Sequence, residues 1–69
     1  MIPFALHDQP YIELHRLLKA VGLADSGGMA KVMIADGQVQ VDGLIETRKR
    51  RKIRSGQRVQ YAGQTIVVA

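Results

Sequence analysis

Apolar residues keep a helical rhythm as far as Ala35 and an alternating one from Gln38 onward, with Gly37 at the change. A chain with that single switch must fold as helices packed on strands, an α+β architecture. Leu14, Leu17, Leu18 and Val21 stand at i, i+3, i+4 and i+7, with Glu13, Arg16 and Lys19 on other faces. This stripe predicts a helix over about Pro10 to Val21, capped by Asp8 or Gln9 and stopped by Gly22. Ser26 is placed to cap a second helix over about Gly27 to Ala35, which turns Ala30, Met33 and Ile34 inward. So short a helix must pack against the first to persist.

After Gly37, Val39 and Val41 alternate with Gln38 and Gln40, and Asp42-Gly43 is a two-residue hairpin signal returning through Leu44 to Thr47. Ser55-Gly56 and Ala62-Gly63 mark turns around strands at about Gln57 to Tyr61 and Gln64 to Val68. Phe4 to Leu6 predicts a short leading strand. The expected fold is two packed helices against a small, mostly antiparallel sheet.

With 69 residues, the chain has room for one core, since domains rarely fall below about 50 residues. A composition 46% hydrophobic and 23% charged is that of a globular protein, although Phe4, Tyr11 and Tyr61 are its only aromatics. The lack of cysteine removes disulfides, thiolate nucleophiles and cysteine-held zinc. No apolar run approaches the roughly 18 residues that span a bilayer, and Met1 to Leu6 lacks the basic start and length of a signal peptide. A cytoplasmic monomer without membrane attachment is expected.

The net charge of +4 hides a division. Residues 1 to 47 hold three cations against six acids, whereas residues 48 to 69 hold seven cations and no acid. The run Arg48, Lys49, Arg50, Arg51 and Lys52, extended by Arg54 and Arg58, reads as a basic connection between strands. Neighbouring cations repel one another, and a polyanion relieves that repulsion; arginine adds a planar fork that grips phosphate at two points. A solvated loop is the bland alternative; nuclear import and acidic-membrane contact also use such runs, but no basic amphipathic helix or lipidation signal accompanies this one.

Other constellations carry less. Gly22, Gly27, Gly28 and Lys31 lack the lysine and hydroxyl spacing of a phosphate-binding loop, and a helix stop and inter-helix turn account for the glycines. His7 and His15, beside Asp8 and Glu13, lack metal-ligand spacing and read as surface histidines. The remaining acids are scattered, and Asp42 is accounted for by the hairpin. Neither a cofactor, a metal site nor an intrinsic catalytic site is expected.

Leu14 to Leu23, then Ser26, then Ala30 to Gly43 together resemble the RNA-binding domain named after ribosomal small-subunit protein four, also called the alpha-L RNA-binding motif. Its most specific part here is Gly37-x-Val39-x-Val41-Asp42-Gly43 following a helix with Ala30 and two large apolar residues, and the resemblance covers about Ile12 to Tyr61. It implies a two-helix unit facing structured RNA, with Arg16, Lys19, Ser26 and Lys31 at contact positions and the hairpin and basic segment helping to clamp the backbone. Two positions depart: Gly27 and Gln38 stand where the family usually carries a basic residue. The Arg48 to Arg54 run is expected to compensate from the sheet side. In larger proteins this domain accompanies a catalytic one, for which this chain has no room.

The expectation is therefore a single, non-enzymatic domain over residues 1–69. It recognises structured RNA, ribosomal RNA among the candidates, by shape and phosphate contacts through a basic surface. Few aromatics argue against base stacking along a single strand. The alternative is an interaction module docking on an acidic or ribosome-associated partner.

Overall fold

The leucine stripe buries itself as its spacing dictates: Leu14, Leu17 and Leu18 are fully enclosed, and Ala30, Met33 and Ile34 meet them from the second helix. The structure, a computed structural model, describes all 69 residues. In chain order the elements are β1 (Ile2–Phe4), β2 (Ile12–Glu13), α1 (Leu14–Ala20), α2 (Gly27–Ala35), β3 (Gln40–Val41), β4 (Leu44–Ile45), β5 (Lys52–Ile53), β6 (Arg58–Tyr61) and β7 (Gln64–Val68).

The main sheet has the order β1-β7-β6-β3-β4, and β2 and β5 form a separate two-stranded sheet. All pairings are antiparallel except β1 with β7, where Ile2 lies beside Ile66 and Phe4 beside Val68. Val39, Val41, Val59, Ile66 and Val68 complete one core with the helices, joined by Leu6, Ala24 and Ile53.

Local chemistry sets the boundaries. The Ser26 hydroxyl accepts the Met29 N–H at 3.1 Å, the N-cap expected of α2. Gly22, at φ +81, ends α1 with the Leu23 N–H on the Leu18 carbonyl. Asp42 and Gly43 both take positive φ, 51° and 85°, the two-residue turn whose twist matches that of the flanking strands.

Five sequence expectations need correction. The first helix begins at Leu14 instead of Pro10, because Ile12 and Glu13 are drawn into β2 opposite Ile53 and Lys52. Its N-cap is Glu13, with no side-chain cap; the Leu14 and His15 N–H groups donate instead to the carbonyls of Arg51 and Lys49, at 2.9 and 3.0 Å. The leading strand is Ile2–Phe4, registered on β7, and the hairpin strands are only Gln40–Val41 and Leu44–Ile45. Finally, the basic run is no mere connection, since Lys52–Ile53 is a strand with Ile53 fully buried.

Candidate nucleic-acid interface

Arg48 to Arg54 is anchored from within. Ile53 enters the core while Lys52 and Arg54 on either side remain exposed, the alternation a strand imposes. Upstream, the Arg51 N–H donates to the Arg48 carbonyl at 3.2 Å, closing a turn. Arg48, Arg50, Arg51, Lys52, Arg54 and Gln57 thereby line one open depression of about 650 Å³, with no acidic side chain among them. Gln57 braces its floor: its Oε1 accepts the Arg54 N–H at 2.9 Å, and its Nε2 donates to Asp42 at 3.0 Å.

Glu46 lies behind two of these cations. It is the one buried charged residue, and it accepts from the Arg48 N–H, Nε and Nη2 at 3.0 Å each and from Arg51 Nη1 at 2.8 Å. The Arg48 guanidinium, above all, holds the Glu46 carboxyl down to about 2 against the opposing effect of burial; the Arg48 N–H and Arg51 add to it. Glu46 in turn raises Arg48 above the usual arginine range. The repulsion expected along the run is thus partly relieved inside the protein.

Asp42 does more than turn a hairpin. Its carboxylate accepts the Arg58 N–H at 2.9 Å as well as the Gln57 amide, and these two bonds, the Arg58 one foremost, hold it below the usual carboxylate range. His15 is largely buried, correcting its reading as a surface histidine. Its Nδ1 lies 2.8 Å from the Lys49 carbonyl, so this nitrogen carries the proton and donates.

The structure gathers five of the expected residues, Arg48, Arg50, Arg51, Lys52 and Arg54, around one depression. Lys49 is exposed beside them, its carbonyl held by His15. Arg58 is exposed on β6, Lys19 on α1 and Lys31 on α2, and none of the three has an ionic partner. Arg16 pairs with Glu13 at 3.4 Å and lines a second depression. Ser26 serves as the α2 cap. The run also sits where its carbonyls meet the start of α1, with Lys52 and Ile53 on the β5 strand paired with β2.

Besides Gln57, two participants escaped the sequence reading. Glu46 precedes Arg48 by two residues and Arg51 by five, a spacing that a search for acids flanking the run would have found. Tyr11 has Lys52 Nζ 5.0 Å and Arg54 Cζ 5.6 Å from its ring centroid, within cation–π range. No local signal announces that contact, because it depends on β2 pairing with β5.

Comparison with known proteins bears on the family and the fold. The S4 domain family model matches residues 4–69, a wider span than the resemblance at Ile12 to Tyr61. YbcJ of Escherichia coli K12 is 52% identical over 68 residues, covering 99% of this chain and 97% of that protein, and YbcJ of Shigella flexneri matches to the same extent. The solution structure of Escherichia coli YbcJ, described as revealing an alfaL motif involved in RNA-binding, superposes with a TM-score of 0.77 at 51% identity. That superposition covers 100% of this chain and 87% of the other.

Proposed function

The chain belongs to the S4 domain family, and from that premise we propose that it binds structured RNA, with the cations of Arg48 to Arg54 on the phosphate backbone. The observation that carries this reading is the depression lined by five cations and a glutamine with no acid among them. Each phosphate neutralised there releases condensed counterions, so binding gains from the whole cluster acting together. The kinship with YbcJ, whose solved structure is described by its RNA-binding motif, supports the same reading.

Within it, Arg16, Lys19 and Lys31 extend the contact along the helices, and Lys49 and Arg58 flank the cluster. Recognition is by shape and phosphate position, and folded ribosomal RNA has the paired, closely spaced backbones that suit it. The protein acts as a monomer and as a binder without catalysis of its own.

Fluorescence anisotropy against a labelled RNA hairpin over a salt series tests the proposal. With about five cations on phosphates, log affinity falls against log salt with a slope of roughly −3.5 to −4.5. A salt-independent affinity would reject the phosphate contacts, and an equal affinity for polyglutamate would reject RNA in favour of an acidic protein partner.

A further inference from the structure

Beside the cationic depression lies a second one, of about 530 Å³, whose lining includes Leu6, Pro10, Tyr11, Ile12, Glu13 and Arg16. Its size is that of a small-molecule site. Tyr11 joins the two: it lines the second depression, while Lys52 and Arg54, which line the first, lie 5.0 and 5.6 Å from its ring centroid. A polynucleotide alternates an anionic phosphate with a flat, largely apolar base. Two adjoining sites, one purely cationic and polar and the other half apolar with an aromatic wall, reproduce that alternation.

We infer that this second depression seats an unpaired base of the bound RNA, stacked on Tyr11, while the neighbouring phosphates lie on Lys52 and Arg54. The inference rests on the proposed RNA binding and deepens it, because a helix with every base paired cannot fill the seat. Glu13 gives it a preference. Its Oε1 is paired with Arg16 at 3.4 Å and lies 3.9 Å from His15 Nε2, and the residue lines the seat. Guanine offers such a carboxylate two adjacent N–H donors, whereas adenine sets an acceptor nitrogen beside its amine.

Two RNA hairpins, identical except for one unpaired guanosine bulged from the stem of the second, separate the inference from the proposal beneath it. Anisotropy titrations at one salt concentration should show the bulged hairpin binding about tenfold tighter, in the range of base–aromatic stacking. An abasic nucleotide at the bulge, which needs no protein variant, should abolish the advantage. Tyr11→Leu should abolish the difference between the two hairpins too, whatever it does to their common affinity through Lys52 and Arg54, and Tyr11→Phe should keep it. Equal binding of the two hairpins by the unaltered protein, or an advantage that survives the abasic nucleotide, would overturn the base seat while leaving RNA binding intact. If neither hairpin binds, both readings fail.

Discussion

Arg48 closes a two-point fork on Glu46, its Nε on Oε2 and its Nη2 on Oε1, both at 3.0 Å. That fork is the geometry with which arginine would otherwise grip a phosphate. Arg48 therefore contributes its charge to the depression while its directional bonds face inward, and Arg51 is held to the same carboxylate at 2.8 Å. Arg50, Lys52 and Arg54 have no acidic partner. The run thus divides into cations that shape the segment and cations that face solvent.

Acid should dismantle the shaping half. The Glu46 carboxyl titrates at about 2 in the folded chain against an ordinary 4.5, so its network stabilises fully above about pH 5.5 and loses that contribution as pH falls through 4.5 toward 2. At 1.36 kcal/mol per pH unit the ceiling is about 3 kcal/mol; solvent screening at Arg48, whose side chain is 72% exposed, brings it to about 1–2 kcal/mol. Urea midpoints measured from pH 7 to 2.5 should fall more steeply for the unaltered protein than for Glu46→Gln. Parallel curves would show that the network adds no stability.

The two halves should also separate by mutation. Neutralising Arg50, Lys52 and Arg54 to Gln should flatten the salt slope of RNA binding by about 2–3 and lower the unfolding midpoint only slightly, through the exposed cation–π contacts of Lys52 and Arg54 on Tyr11, since none of the three has an acid partner. Arg51→Gln should instead lower the unfolding midpoint, because it leaves the buried Glu46 short of a donor. A triple variant that unfolded early but bound normally would reverse this assignment.

Features set by near neighbours in the chain were legible in the sequence, and features set by distant pairing were not. The α2 cap at Ser26, the Asp42-Gly43 and Ala62-Gly63 turns and the span of β7 each depend on a few adjacent residues, and each stands where the pattern placed it. The start of α1 was misplaced because Ile12 and Glu13 are extended by Ile53 and Lys52, from the far end of the sequence. Pro10 read as a first-turn residue, and only that pairing removes it from the helix. The cations could be counted, but their sorting by Glu46 and Tyr11 is a tertiary result.

Ser26 shows how a family contact position and a structural role can be told apart. Its hydroxyl caps α2 through the Met29 N–H, so Ser26→Ala should cost about 1 kcal/mol of stability. Ser26→Asp keeps a capping oxygen and adds negative charge at the helix start, where it is favourable. It should hold stability near that of the unaltered protein, and it should weaken RNA binding only if Ser26 also lies against a phosphate. Calorimetry and anisotropy on the two variants distinguish the roles.

Ala62 carries strain that can be relieved. It sits at φ 51 in the turn between β6 and β7, a left-handed conformation that costs a residue with a Cβ about 1 kcal/mol. Ala62→Gly removes that cost but adds freedom to the unfolded chain, whereas Ala62→Asn suits the conformation and keeps a side chain. Ala62→Asn should therefore raise the unfolding temperature by several degrees, the scale on which a chain this small responds to about 1 kcal/mol. An unchanged or lower midpoint would mean that the turn is not strained.

Ile53 couples the candidate interface to the core. It is fully buried, lies opposite Ile12 across the β2–β5 pair, and stands between the exposed Lys52 and Arg54 that face Tyr11. Ile53→Val removes one methylene from a closed site and should cost about 1 kcal/mol without altering the salt slope, because the strand and its alternation survive. Ile53→Ala should cost about 2–5 kcal/mol, a large part of what a small domain possesses. Near its unfolding midpoint RNA should then restore it, since a ligand that binds only the folded chain shifts the transition in proportion to the logarithm of its concentration. Thermal scans of Ile53→Ala with and without an RNA hairpin should show a midpoint that climbs with RNA concentration. A midpoint insensitive to RNA would mean that the nucleic acid does not bind the folded chain in preference to the unfolded one.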